Sequence, residues 1–445
     1  MNRDLIVAPA TPRGRGALAV VRLSGRELGA LIPALVRPLS GAALTPGRPR
    51  RVALVDAEGV YDDGVLLFSE GPATYTGEDT AEITCHGNPL VVDRLVGAAL
   101  AAGARLADPG EFTQRALLSG KLDLLGAEAV HQVVEATSWQ GLAVARQGAD
   151  GSLGAFAESL REALLGVGAE LEARLDHPEE DLSYQSEAEL LGTLSSLSEQ
   201  ARALAQTWEV GRVRLHGARV ALVGPVNAGK SSLFNALLGR RRALVHPTPG
   251  TTRDVIEAAT ELGGLQLVLL DTAGERRTSD PVEAAGLALA RELVEEADLL
   301  LVVVPAGPGA LDSVSADILA RTSGRPRLVV YNGVDRDGAG SLDGALPTSA
   351  LTGEGIGALR EAVGAVLTQR ASRAEGLVLG SARQRDRFLA VAREADEASA
   401  AFALAGEAAA ADAVIRAVEE LDALTGADSR EAVRDALFAR FCVGK

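Results

Sequence analysis

The chain has 445 residues, 47% of them apolar and 23% charged, enough for about three ordinary globular domains and too apolar for a disordered chain. Its formal net charge of −16 excludes loose, sequence-blind binding to polyanions, so a nucleic acid would have to meet a local patch or a basic partner. Two cysteines, Cys85 and Cys442, without a CxxC or Cys/His cluster, argue against a disulfide framework or a zinc site and for a reducing, cytoplasmic setting.

The opening residues carry no secretory or transit-like pattern, and the longest apolar run, Leu299 to Val304, is too short to span a bilayer. Residues 1–118 hold short alternating runs at Leu18–Leu23, Arg51–Val55, Val65–Phe68 and Ala81–Cys85 between Gly/Pro turns, which predicts an α+β domain. From 119 the period changes. Leu153, Phe156, Leu160, Leu164, Val167, Leu171 and Leu175 form the stripe of a long amphipathic helix that His177-Pro178 ends. Strands at Arg219–Val223, Gln266–Leu270, Leu299–Val304 and Arg327–Tyr331 then alternate with helices, the pattern of a mostly parallel sheet. After 371 the helical period returns: an Ala-rich stretch at 399–413, then Val414, Val418, Leu421 and Leu424 closed by Gly426, then Val433, Leu437 and Phe441. The predicted organisation is an α+β domain over 1–118, a helical domain split between 119–211 and 371–445, and an α/β domain over 212–370 inserted between its halves. Arginine clusters at 48–51, 212–214 and 240–242 read as solvated surface charge.

Gly224-Pro225-Val226-Asn227-Ala228-Gly229-Lys230-Ser231 matches GxxxxGK[ST] between a predicted strand and a predicted helix, so the inserted domain reads as a P-loop domain. Main-chain N–H groups would converge on the phosphates, Lys230 would meet the β/γ oxygens, and the Ser231 hydroxyl, followed by Ser232, would ligate Mg²⁺. Only three of the 44 cationic residues are lysines, Lys121, Lys230 and Lys445, so one of them standing here is itself a pointer.

Four shorter motifs follow in order. Thr248-Pro249-Gly250-Thr251-Thr252-Arg253-Asp254 has the form of a switch loop, with Thr252 closing on Mg²⁺. Asp271-Thr272-Ala273-Gly274 would hold Mg²⁺ through water and sense the γ-phosphate. Asn332-Gly333-Val334-Asp335 would present Asp335 to the guanine edge, and Ser349-Ala350-Leu351 would give backbone contacts to the base oxygen. A carboxylate at 335 favours GTP over ATP, because adenine would leave it unpaired. The fold class is therefore an α/β P-loop GTPase domain inserted into an all-α domain and preceded by an α+β domain. Two departures stand out: the lysine of the usual NKxD motif is Gly333, and Glu275 stands where Ras-like GTPases carry glutamine.

Further segments narrow the reading. Ala10-Thr11-Pro12-Arg13-Gly14-Arg15-Gly16 with Val21-Arg22-Leu23-Ser24-Gly25, Tyr75-Thr76-Gly77-Glu78-Asp79 with Pro109-Gly110-Glu111-Phe112-Thr113, Lys121-Leu122-Asp123-Leu124 and Phe441-Cys442-Val443-Gly444-Lys445 resemble the MnmE (TrmE) family of tRNA modification GTPases over the whole chain. The resemblance implies an N-terminal domain that dimerises and binds a 5-formyl- or methylene-tetrahydrofolate through Arg22, Glu82, Lys121 and Lys445. It implies a homodimer joined by an FAD-containing MnmG-like partner in a heterotetramer, acting on tRNA to build an aminomethyl-type group at carbon 5 of the wobble uridine. It also implies a K⁺ ion held by Asn227, His246, Thr248 and Thr251 within a nucleotide loop that includes Pro247, Pro249 and Gly250. Glu283 would orient the attacking water, with Glu275 as its rival. A ribosome-assembly or RNA-chaperone switch GTPase, and a folate-dependent aminomethyltransferase acting alone, are the competing readings.

Overall fold

A computed structural model of the chain describes residues 4–39, 43–176, 185–239, 255–262, 265–272, 295–307, 313–336, 338–371, 376–426 and 444. Its contacts divide it into two compact units, one of Met1–His131, Gly148–Leu197 and Arg393–Lys445, the other of Gln132–Gln147 and Ser198–Ala392.

The first unit opens with β1 (Ile6–Pro9), β2 (Leu18–Ser24), α1 (Leu28–Leu35), β3 (Val36–Pro38), β4 (Arg50–Asp56), β5 (Gly59–Ser69), β6 (Thr80–His86), α2 (Pro89–Ala101), β7 (Arg105–Leu106) and α3 (Glu111–Leu118). The strands form one sheet in the order β3-β4-β5-β6-β2-β1-β7, antiparallel except where β7 joins β1. Strand alternation assigns the faces. Val21, Leu23 and Ile83 pack in one core with Leu28, Leu35 and Leu95 of α1 and α2. Arg22 and Glu82, opposite each other in the β2–β6 register, fall on the other face. The four expected strands are β2, β4, β5 and β6. β5 runs further back than expected, because its first half carries Tyr61, Asp62 and Asp63 in place of an apolar alternation.

Helices α4 (Leu124–Glu135), α5 (Trp139–Ala149), α6 (Ser152–Asp176), α7 (Glu187–Gln206) and α8 (Trp208–His216) follow. The α6 stripe is buried at Leu153, Leu160, Leu164, Val167 and Leu171, whereas Leu175 is exposed in the last turn.

The second unit carries β8 (Ala218–Val223), α9 (Lys230–Leu238), β9 (Val255–Leu262), β10 (Leu265–Thr272), β11 (Leu299–Pro305), α10 (Ser313–Arg321), β12 (Arg327–Asn332), β13 (Leu346–Thr348) and α11 (Ile356–Ala371). Its sheet has the order β13-β12-β11-β8-β10-β9, and all neighbours are parallel except β9 and β10. Both faces are covered, which is why β8 and β11 are almost wholly apolar. Val220, Leu222 and Leu301 pack with Leu233, Leu237, Leu359 and Val363 on one side, and Ala221, Leu300 and Val302 with Ile318 on the other. Val144 and Ala145 of α5 form a small core in this unit with Val210, Leu215 and Val378. Arg212, read from sequence as solvated, is instead bonded to the buried Asp298, which also accepts from the Arg219 amide.

Helices α12 (Ala382–Ala405) and α13 (Glu407–Thr425) complete the described chain. The Ala-rich stretch is broken at Gly406, which has φ 87°. Val414, Val418, Leu421 and Leu424 are buried, and Gly426 caps α13 in the left-handed conformation. The last predicted helix, with Val433, Leu437 and Phe441, lies outside the described residues. In the first unit α13 packs along α6: a Cβ on Gly168 would stand 3.5 Å from Val414 Cγ1, and Arg161 Nε donates to Asp422 Oδ1 at 2.7 Å. The parallel sheet is thus inserted, in chain order, between helices that belong to one helical layer.

Candidate functional site

β8 lies in the interior of the parallel sheet, and strand order runs away from it in both directions, the switch point where open α/β sheets take ligands beyond their carboxyl ends. The loop from Gly224 to Gly229 starts there. Asn227 has φ 63° and Gly229 φ 85°, an alternation that points successive N–H groups into one concavity. At Gly229 a side chain is also excluded by space, since a Cβ would fall on Asn332 Nδ2. α9 begins at Lys230, whose buried ammonium donates to the carbonyls of Gly224 and Pro225 at 3.0 and 2.9 Å. The loop closes on its own lysine at the positive end of a helix. Ala228 is buried, while Asn227, Ser231 and Ser232 are exposed at the loop and first helical turn.

The base-side motifs stand at the same edge of the sheet. Asn332 ends β12 and is 6% exposed; its Nδ2 donates to Ala228 O at 3.0 Å, and its Oδ1 accepts from the Ala350 amide at 3.2 Å and from Thr348 Oγ1 at 3.4 Å. One amide side chain therefore ties the phosphate loop to the Ser349–Leu351 loop. The Gly333 and Val334 amides both donate to Thr348 O, at 2.7 and 3.2 Å, and fix the next turn to β13. Asp335 is exposed there, Ser349 is buried, and Leu351 is 86% exposed. Asp271 and Thr272 end β10 beside β8, with Asp271 paired to Leu222 in the register. Their side chains, and His246, Pro247, Thr248, Pro249, Gly250, Thr251, Thr252, Ala273, Gly274, Glu275 and Glu283, lie outside the described residues.

A second polar cluster occupies the sheet of the first unit. Arg22 donates through Nε and Nη2 to Glu82 Oε1 at 3.0 and 2.7 Å, and its guanidinium lies 5.8 Å from the centre of the Phe112 ring. Tyr75, whose hydroxyl pairs with Thr113 Oγ1 at 3.0 Å, has its pKa raised by burial. Lys121 is exposed, with Cε 3.6 Å from where a Cβ on Gly77 would stand. Lys445 and Cys442 lie outside the described residues, but Gly444 packs against β1, where a Cβ would fall on Pro9 O.

Next to this cluster is a cavity of about 650 Å³ lined by residues that include Arg26, Glu78, Arg105, Glu111, Arg115 and Ser119. Arg115, 8% exposed, bonds Asp4, Glu78 and Glu111 at 3.0, 2.8 and 2.9 Å, and Arg105 bonds Asp4 and Glu111. The Arg105 hydrogen bond is the chief cause that holds Asp4 below its ordinary range. At Glu111 burial acts to raise the pKa, but bonds from Arg105, the Asp108 amide and Arg115 outweigh it and leave it lowered. Sequence reasoning gave no role to Phe112, Arg115 or this network, although Glu78, Glu111 and Phe112 stand inside the Tyr75–Asp79 and Pro109–Thr113 motifs.

The whole chain has counterparts. The family described as "GTP-binding protein TrmE N-terminus" matches residues 5–121, and that described as "MnmE helical domain" matches 124–442. The tRNA modification GTPase MnmE of Akkermansia muciniphila is 40% identical over 451 residues, 99% of this chain and 98% of that protein. The MnmE proteins of Roseiflexus castenholzii and Thermotoga petrophila are 37% and 36% identical, each over at least 99% of both chains. Among solved structures, the G domain of the T. maritima FeoB iron transporter is 26% identical, covers 35% of this chain and 99% of its own, and has a TM-score of 0.27. With relatives this similar from end to end and a phosphate loop in the expected strand–helix setting, the chain belongs to the tRNA modification GTPase MnmE family.

Proposed function

We propose that the chain couples GTP hydrolysis to the building of an aminomethyl or carboxymethylaminomethyl group at carbon 5 of the wobble uridine of certain tRNAs. The observation that carries this reading is the pairing, in one chain, of a lysine-closed phosphate loop with an acid-and-cation cluster on a separate sheet. A one-carbon tetrahydrofolate fits the second cluster chemically. Its pterin edge offers donors to the Glu82 carboxylate, and its glutamate tail calls for cations such as Arg22, Lys121 and Lys445. The seat of Gly444 against Pro9 supports a role for Lys445, which is bonded to it.

GTP takes the loop with Mg²⁺, for which the exposed Ser231 hydroxyl is a suitable hard ligand and Thr252 a second. Asn227 offers a neutral amide oxygen to K⁺, in company with His246, Thr248 and Thr251, so that the ion supplies the charge that a finger arginine supplies elsewhere. Glu283 orients water, Asp335 reads guanine, and Ser349–Leu351 closes on the base. The protein works as a homodimer with an FAD-containing MnmG-like partner in the cytoplasm. Among the described residues no helix is long and apolar enough to cross a membrane.

The test is calorimetry of the full chain with 5-formyl-tetrahydrofolate, together with tRNA nucleoside analysis in cells lacking the protein. Folate binding that Arg22→Ala and Glu82→Gln abolish, and loss of the modified uridine, are expected. No folate uptake with GTP binding intact would return the chain to a switch GTPase without modification chemistry.

A further inference from the structure

The turn after β12 reads Asn332-Gly333-Val334-Asp335-Arg336, and the roles above leave its glycine and its arginine unused. Gly333 has φ 98°, and a Cβ built on it would stand 3.2 Å from Arg336 Nε and 3.5 Å from its Cδ and Cζ. The arginine head is folded back over the glycine, in the volume that a side chain at 333 would enter. The backbone beneath is fixed, because the Arg336 amide donates to Gly333 O at 3.1 Å and the Gly333 amide to Thr348 O at 2.7 Å. Among the described residues no carboxylate pairs with Arg336, and its side chain is exposed. A side chain with four rotatable bonds thus rests on a glycine beside the loop that ties phosphate and base motifs together.

We infer that Arg336 is a wall of the guanine slot: its planar guanidinium lies along the face of the base whose edge Asp335 receives. It does from position 336 what the stem of a lysine does at 333 in the usual NKxD motif. A guanidinium is flat, weakly hydrated and stacks readily on aromatic faces, and a purine offers a broad one. Gly333 and Arg336 then form one device. The glycine takes the left-handed backbone and leaves room for the arginine head; a lysine put back at 333 would strain that backbone and push the head aside, its Cβ standing 3.2 Å from Nε. The inference rests on the reading of this turn as the guanine site.

Calorimetry of the full chain with Mg²⁺, using GDP and inorganic tripolyphosphate as separate ligands, tests it. Arg336→Ala should raise the Kd for GDP about tenfold and leave that for tripolyphosphate within twofold, since a stacked cation contributes on that order. Gly333→Lys should weaken GDP binding. A GDP Kd unchanged in Arg336→Ala would overturn the inference. So would an equal loss for tripolyphosphate, which would put the arginine on the phosphates, or tighter GDP binding by Gly333→Lys. Asp335→Asn separates the underlying reading: it should gain xanthosine diphosphate and lose GDP. If that exchange is missing, the guanine assignment of the turn fails; if it occurs while Arg336→Ala is silent, only the arginine's role fails.

Discussion

Asn332→Ala should be among the most damaging single changes to nucleotide binding, although the side chain points at the protein. Its removal strands two backbone groups, the buried Ala228 carbonyl and the half-buried Ala350 amide, which its Nδ2 and Oδ1 satisfy at 3.0 and 3.2 Å. Each buried group left unpaired costs about 1–3 kcal/mol. Two at mid-range give about 4 kcal/mol, and water reaching the less buried amide trims this to about 3 kcal/mol; where the loops part to solvate these groups, binding must draw them together again, which raises the Kd by up to roughly a hundredfold. The contact with Thr348 Oγ1, at 3.4 Å, adds little. Asn332→Asp should do no better. It keeps an acceptor for Ala350 but turns a carboxylate towards the Ala228 carbonyl, with no donor between them. Titration calorimetry with GDP and a thermal melt of each variant are the assays. If Asn332→Ala binds GDP within threefold of the parent chain, the tie between phosphate loop and base loops carries no affinity and the reasoning fails.

In acid, the network around Arg115 should fail first. Asp4 and Glu111 have pKa values lowered from 3.8 and 4.5, so they stabilise the folded state fully above those values and lose that contribution as pH falls through the lowered ones. Urea midpoints measured below about pH 4.5 should therefore fall less steeply in Glu111→Gln than in the parent, offset by a lower plateau at neutral pH. Gly444→Val, with φ 100° and Pro9 O in the way, should weaken 5-formyl-tetrahydrofolate binding and leave GDP binding within twofold, read by calorimetry. Burial pushes the Cys85 thiol up to about 11, so iodoacetamide at pH 8 should leave it unmodified in the native protein and label it only in denaturant, as peptide mass mapping would show.

The phosphate loop was legible because its chemistry is local: the five apolar residues of the six in β8, a glycine-rich turn and a lysine opening a helix all lie within one short segment. The α6 and α13 stripes were legible for the same reason, since helical period is a property of neighbours in sequence. Leu175 escaped because periodicity does not say where a neighbour stops covering a helix. The edge strands of both sheets, β3 and β7 in the first and β9 and β13 in the second, were not foreseen. β9 mixes Glu257, Thr260 and Glu261 with its apolar residues, and β13 is only three residues long. Least legible was the polar network. Asp4, Glu78, Glu111 and Arg115 come from three separate stretches, and an ion pair between distant segments leaves no period behind. Asn332 was visible as part of a guanine motif, but its role as a staple between two loops needed coordinates.

The split helical layer bears on how the protein is made. During synthesis α6 emerges with Leu160, Leu164, Val167 and Leu171 ready for α13, which is translated only after the entire nucleotide sheet. That sheet is continuous in sequence, and α8 before it packs against α11 at its end, so once folded it draws the two helical pieces towards each other and shortens the search for their partner faces. A lesion that slows closure of the β8–β11 core would therefore show itself elsewhere, as a bare, sticky α6 waiting on the ribosome. Chaperone dependence and aggregation, more than lost GTP turnover, would be the first signs of it.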